Sequence, residues 1–535
     1  MSTYDGIVIG AGHNGLILAA YLAKAGLRVL AIDRLDAAGG GLMTIEDAAG
    51  FRHNPHSVFH RALTQMPWYR DLELARRGAQ YVEPELNVAL VLEDGRSIQW
   101  WTDFERTAAS FAEISRKDAA ALRKWHDDFV PIVEAILVPE SRSPPLPAAR
   151  RRQLLQKTPE GRLLLETSEL SPHEFVLKYF EHPAIQAGLL FFNGLREVDL
   201  RAKGLGHHIP ALLASPTKAQ LCRGGSIRLA QALIAALREA GGEIRTGVEP
   251  REILVERGRA VGIATTAGET ISAKRFVASS LNPHQTFLDL IEPRHLPKAW
   301  RERAENFRYN RIAPLFALNL DLREPPRYRA AEIDPALERA FMVILGLDHV
   351  AQFGDIVRHN EAGTIPPRRV MWGACPTLFD PSQAPAGKHT AFLWEKLPYR
   401  LDGDPRNWDR YGPQHGRRML EAWRGYAPNL AEAVIGSSVG TPLDIERRFP
   451  NMREGDLLVG SFEGGQIGHD RPFLGAGQYR GHLEGLYLCG SCCHPGGNVT
   501  GLPGYNAAQI IAADLGLRPS WLPEPIEQRL MALTV

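Results

Sequence analysis

A chain of 535 residues, 44% of them apolar, is too long for one ordinary core, so two domains, interleaved in sequence, are expected. A formal net charge of +1 excludes a global electrostatic bias towards nucleic acid or acidic partners, and five cysteines do not make a disulfide framework, which fits a reducing compartment. The chain enters a strand within a few residues of Met1, so no signal peptide is expected, and no apolar run reaches membrane-spanning length; the expected place is the cytoplasm, with a membrane surface as one resting site.

Gly6 to Ile9 reads as a buried parallel strand. A glycine turn follows, then a helix from about Gly15 to Ala25 with Gly26 at its C-cap, then a strand from Leu27 to Ile32 ending at Asp33: a complete β-α-β unit. Within it, Gly10-Ala11-Gly12-His13-Asn14-Gly15 is the strongest motif in the chain. Gly10 permits the tight turn, Gly12 lets backbone approach a pyrophosphate, and Gly15 lets the helix pack closely on the strand, with the phosphates at the positive helix N-terminus. Asp33 stands about 20 residues on, where a ribose-binding acid belongs. A second glycine turn, Gly39-Gly40-Gly41 with Leu42, follows Asp33-Arg34 and offers further backbone N–H groups to a long dinucleotide.

From about Thr102 to Leu137 the sequence reads as helix, Ser141 to Pro147 as a loop, and Arg150-Arg151-Arg152 opens an amphipathic stretch to about Leu165. A second α/β pattern starts at Gly224, with a helix over Ser226–Ala240 and short strands through Val277; residues 293–475 mix strands and helices without one strong signal. The strand Leu486–Leu488 leads into Gly490-Ser491-Cys492-Cys493-His494-Pro495-Gly496-Gly497-Asn498-Val499-Thr500-Gly501, and a helix starts near Leu502. Such a turn puts N–H groups at a helix N-terminus, facing an electron-rich ring.

Gly10 to Leu16, the Gly39-Gly40 turn, Gly224-Gly225-Ser226 with Gly241-Gly242, and His494-Pro495-Gly496-Gly497 resemble the phytoene-desaturase-like flavoproteins, and His13-Asn14 with Phe104-Glu105-Arg106-Thr107-Ala108-Ala109-Ser110 resemble most the pyridine nucleotide-disulfide oxidoreductase domain 2 group. The likeness runs from about residue 4 to 515. It implies FAD held by Gly10, Gly12, His13, Asn14, Gly15, Asp33, Arg34, Gly39, Gly40, Gly41 and Leu42. It also implies Val248 on the adenine side, with Gly490, Ser491, Gly497, Asn498, Val499 and Thr500 along the isoalloxazine. Gly50-Phe51 is followed here by Arg52-His53-Asn54-Pro55-His56 rather than by the acid that desaturases of this family often carry.

The fold expected is α/β: a doubly wound, Rossmann-like FAD domain (1–95, 220–290 and 476–517), an inserted mixed α/β substrate domain (96–219 and 291–475), and a tail (518–535). His56, Arg471 and His494 are the candidate catalytic residues; His53, His60 and His207-His208 read as polar packing, Cys489 and Cys492 as buried thiols rather than a redox pair, and no metal site is expected. The Arg150–Arg152 run reads as a solvated face, with anionic lipid as the alternative. The activity expected is dehydrogenation or desaturation of a small, largely apolar substrate (terpenoid, carotenoid-like or aromatic), by hydride transfer to flavin N5. With no second Rossmann turn visible, the electron acceptor expected is oxygen, a quinone or a redox protein. Amine-oxidase-like C–N oxidation and a catalytically idle flavin-binding scaffold are the alternatives.

Overall fold

The first forty residues build the frame on which everything else hangs. β1 (Thr3–Ile9) and β2 (Val29–Ile32) run parallel, joined by α1 (His13–Lys24). The second strand starts at Val29, two residues later than the sequence pattern indicates. Every residue of α1 from Asn14 to Ala23 is buried. A helix apolar all round must be covered all round, and α1 is: it lies against the helices Ile227–Glu239 and Leu502–Asp514 as well as the sheet. In a computed structural model, residues 3–194, 197–215 and 218–533 of the chain are described.

The frame is one seven-stranded sheet drawn from three distant parts of the sequence. Its strands run in the order 243–245, β2, β1, 270–279, 259–265, 250–256, and Leu486–Leu488 pairs with the far end of 270–279. The pairs of β1 with β2 and 270–279, of β2 with 243–245 and of 270–279 with 486–488 are parallel; the two hairpin pairs are antiparallel. This is the expected α/β, Rossmann-like architecture, and the carboxyl ends of β1 and β2 share one crevice, where open α/β sheets bind ligands.

A second seven-stranded sheet runs in the order 434–440, 315–322, 389–396, 371–374, 342–345, 86–91, 97–101. The strand Leu86–Val91 is buried over its whole length and pairs in parallel with Met342–Leu345. It therefore belongs to this sheet, although the sequence pattern groups it with residues 1–95: six consecutive buried positions need cover on both faces, which the inserted segments provide. Helices over 104–213 pack on one side of that sheet. The single helix expected from 102 to 137 is divided at Ser115, whose hydroxyl accepts from Asp118 N and caps a second helix, Arg116–Ile132. Arg150, Arg151 and Arg152 each meet a carboxylate, of Glu527, Glu140 and Glu169 respectively. Among the described residues no helix is long and apolar enough to cross a membrane.

Candidate functional site

The turn between β1 and α1 shows what each glycine is for. Gly10 holds φ +90°, a backbone conformation that costs other residues energy. A Cβ on Gly15 would fall 2.1 Å from the Gly10 carbonyl oxygen, so only glycine lets α1 start this close to the strand. A Cβ on Gly12 would meet no protein atom within 4 Å. Gly12 is thus open on the side where a ligand would lie. The second turn closes on the first: Gly39 N donates to Ala11 O at 2.8 Å, and Gly40 comes to 3.3 Å from Gly12 Cα, measured from its would-be Cβ. Leu42 is wholly buried behind it.

These turns wall a cavity of about 270 Å³ lined by Gly10, Gly12, His13, Asn14, Asp33, Arg34, Gly40, Gly41 and Ser491, with Ser280, Leu281 and Gln285 from the segment that follows strand 270–279, and Arg448, Phe449, Asn451 and Met452 from the inserted region. Asp33 Oδ2 accepts from Ala11 N and Oδ1 from Leu35 N, both at 3.0 Å. Its carboxylate therefore braces the turn while facing the cavity; burial raises its pKa against the opposing pull of those two N–H groups. Val248 lies behind it, N donating to Asp33 O at 2.9 Å. Asn14 Nδ2 donates to Ser491 Oγ at 3.1 Å and so ties the first turn to the carboxy-terminal one. His13 Nε2 and Asn14 Oδ1 are shielded from solvent without a partner. Burial lowers His13 to about 4, with the Asn498 backbone opposing, so its imidazole is neutral.

This donor set fits a dinucleotide cofactor. The fit rests on the open face of Gly12 and the orphaned polar atoms of His13 and Asn14, which need a partner that the protein does not supply.

The carboxy-terminal turn departs from expectation. Ser491 reaches the cavity, but Gly490 and Gly497 lie behind it. Their Cβ atoms would fall 2.3 Å from Ser280 O and 2.4 Å from Leu458 O, and that of Gly496 2.5 Å from the Phe462 ring. The room these glycines leave is filled by the protein's own chain, not by an open platform for a flat ring. Asn498, Val499 and Thr500 lie outside the cavity lining; Thr500 N donates to Asn498 O at 2.9 Å, and Thr500 O accepts from Trp68 Nε1 at 2.8 Å.

The three candidate catalytic residues separate. Arg471 is fully buried and donates to the carbonyls of Ser461, Gln466, Gly460 and Ser491 at 2.8 to 3.2 Å, its guanidinium 4.1 Å from the Phe462 ring centroid. It clamps the 460–466 segment to Ser491; burial pulls it down to about 10. His494 Nε2 lies 3.1 Å from Glu140 O, and burial lowers it to about 4. Neither lines the cavity. His56 does not line this cavity either, but stands close behind its wall: the would-be Cβ of Gly41 is 4.0 Å from His56 Cβ. Both its ring nitrogens are shielded and unpartnered, and its ring meets Phe449 edge-on at 4.8 Å. Burial, then the nearby Arg448 charge, lowers it to about 3, so it too is neutral. Its sequence neighbours are engaged: His53 Nε2 meets Asp321 Oδ1 at 2.7 Å, and His60 sits between Ser57 Oγ and Tyr81 OH.

His56 instead lines a second cavity of about 780 Å³, between the hairpin carrying Ile45 and His53 and the strands 315–322 and 434–440 of the second sheet. Leu315, Ala317, Val439, Ile445 and Leu457 supply apolar wall. Arg448 borders both cavities. It ends the helix Pro442–Arg448, which Thr441 starts through a capping box with Asp444. The cap and the following Pro450 are legible as helix punctuation, but nothing local marks this arginine as lining a site.

Residues 8–70 match the family model of an NAD(P)-binding Rossmann-like domain. A limonene dehydrogenase subunit of Castellaniella defragrans is 32% identical, the match covering 98% of this chain and 97% of that one. Pyridine nucleotide-disulfide oxidoreductase domain-containing protein 2 of Rattus norvegicus is 28% identical over 96% of this chain and 94% of its own. Carotenoid desaturases and isomerases match at lower identity. Among solved structures, cyclohexylamine oxidase from Brevibacterium oxydans superposes with a TM-score of 0.56 at 15% identity, covering 96% of this chain and 99% of its own, a likeness of fold.

Proposed function

The chain belongs to the phytoene-desaturase-like family of oxidoreductases, and from that premise we propose that it is an FAD-dependent dehydrogenase or desaturase of a small, largely apolar substrate. The observation that carries the reading is the pair of cavities that share Arg448, one bordered by the dinucleotide turn and the other by His56 and apolar side chains of the second sheet. Backbone N–H groups of the Gly10–Gly15 turn would hold the pyrophosphate at the start of α1. The Asp33 oxygens, each with one accepting site left, would take the ribose hydroxyls, and Arg34, Gly40 and Gly41 would close the groove, with Gly39 behind them against Ala230. Ser491, held by Asn14 and Arg471, marks the ring end.

A flavin bound there would supply the two-electron acceptor, with N5 as the proposed hydride-accepting atom. The protein's part is to orient and to exclude water. The apolar wall from Leu315 to Leu457 places an activated C–H bond against the junction and keeps it dry. The second hydrogen leaves as a proton from the neighbouring carbon, and His56 on the cavity wall is a side chain placed to take it, though burial and the Arg448 charge oppose its protonation. Limonene dehydrogenase and the phytoene desaturases are named for apolar terpenoids, in keeping with such a substrate.

Electrons leave to oxygen, a quinone or a redox protein. The Rossmann-like match, residues 8–70, is the segment assigned here to FAD, so a nicotinamide dinucleotide would have to compete for the same turn. The first relative is by name one subunit of its enzyme, which suits a protein partner. Anaerobic mixing tests the reading: terpenoid, carotenoid-like or aromatic compounds should bleach the flavin absorbance. Bleaching by amines alone would move the activity to C–N oxidation, and no bleaching by any of them would leave a scaffold.

A further inference from the structure

The charged groups around the larger cavity are nearly all engaged. His53 meets Asp321. Arg447 is held by both oxygens of Asp409 and lies 3.7 Å from Asp444, whose carboxylate also closes the Thr441 cap. Asp47 accepts from the backbone N–H groups of Ala49 and Phe51. Arg448 differs: half-buried and bordering both cavities, it makes no hydrogen bond or ion pair among the described residues. The neighbouring polar group, His56, has two shielded nitrogens and no partner for either. Arg448 thus brings an uncompensated charge to the cavity wall, and an orphaned imidazole nitrogen beside it is costly. Both groups line the larger cavity, at the seam that Arg448 shares with the first, and one ligand group there can meet both.

We propose that Arg448 and His56 bind a carboxylate at this seam, so that the substrate is an apolar monocarboxylate, a terpenoid or aromatic acid, rather than a bare hydrocarbon. The inference rests on reading the larger cavity as the substrate site. The guanidinium fork matches the two carboxylate oxygens and cancels their charge, and the neutral imidazole donates one N–H to the same group. The apolar body then lies along the side chains of Leu315, Ala317, Val439 and Ile445, and the C–H bonds next to its carboxylate are the ones left at the junction. Arg448 is thus a specificity-determining residue: a hydrocarbon of the same shape leaves it unpaired, which the site disfavours.

The test is calorimetric titration of the cofactor-loaded protein with cyclohexanecarboxylate and with its neutral isostere, cyclohexanecarboxamide. The native protein should bind the carboxylate at least about tenfold more tightly, the scale of one charge-assisted hydrogen bond. Arg448→Met, reconstituted to full cofactor loading, should lose that preference, and Arg448→Lys should keep part of it. No preference in the native protein, or a preference that survives in Arg448→Met, overturns the proposal. So does loss of cofactor from Arg448→Met that Arg448→Lys restores without restoring the preference, because the guanidinium then serves the cofactor. Arg448-dependent carboxylate binding with no flavin bleaching by any apolar compound would keep this site and sink the dehydrogenase reading; bleaching by neutral terpenoids with no carboxylate preference would do the reverse.

Discussion

Gly12→Ala and Gly15→Ala should fail in opposite ways. Gly12 has φ −72° and ψ 175°, angles alanine adopts freely, and its new methyl group would meet no protein atom within 4 Å. As a helix N-cap, alanine is poorer than glycine, a loss under about 1 kcal/mol. The cofactor-free variant should therefore be nearly as stable as the parent. The methyl group instead occupies the space assigned to the pyrophosphate. Displacing one charge-assisted hydrogen bond costs about 1.5–3 kcal/mol, or about 10- to 150-fold in affinity. At Gly15 the methyl group lands 2.1 Å from Gly10 O, a backbone atom that cannot turn aside. Overpacking of that severity costs about 3 kcal/mol, offset by the helix preference of alanine, about 1 kcal/mol, which leaves a net loss of about 2 kcal/mol in the absence of any ligand. Urea denaturation of cofactor-stripped protein reads the first quantity and flavin fluorescence titration the second. Equal loss of stability in the two stripped variants, or normal cofactor affinity in Gly12→Ala, would refute the reasoning.

Arg471→Met should destabilise the stripped protein by several kcal/mol, since four carbonyls lose their donor; a stable variant that merely loses turnover would restore Arg471 to the chemistry. Gly497→Val should misfold rather than tune a bound flavin, because its side chain meets the Leu458 backbone; soluble, cofactor-loaded protein with a shifted spectrum would show the turn to face the ring after all. Below about pH 6.5 stability should fall. His13, His56, His60, His208 and His494 are held by burial at about 3 to 4, so the unfolded chain takes up protons that the folded one refuses. These depressed values give stability that is full above the unfolded pKa and lost as pH falls towards 3, at up to about 1.4 kcal/mol per pH unit for each histidine. Denaturation of stripped protein from pH 7 to 5 checks this, and a flat profile would contradict the burial of these rings.

The β-α-β unit could be read from sequence because its signals are local. Gly10, Gly12, Gly15 and Asp33 lie within one supersecondary unit, and their spacing alone dictates the turn. The strand–turn–helix at 486–514 was legible for the same reason, but the purpose of its glycines was not. A glycine beside a ligand and a glycine against another stretch of backbone look alike in sequence, and only the fold brings Leu458 and Phe462 onto Gly497 and Gly496. Arg471 misled similarly: an arginine next to a glycine-rich turn suggests an oxygen ligand, whereas its partners are carbonyls gathered from 460 to 491. Arg448 escaped notice for the converse reason. Its distinction is to lack a partner, and partnership is a tertiary property. The strand 86–91 changed sheets because its mate, 342–345, lies some 250 residues on in a stretch without strong periodicity.

The measurement that bears most directly on the central claim is the identity of the small molecule released from the purified protein by denaturation, read by mass and absorbance. The account predicts FAD, bound near one per chain. Release of FMN, of a nicotinamide dinucleotide, or of no cofactor after reconstitution with FAD would contradict it.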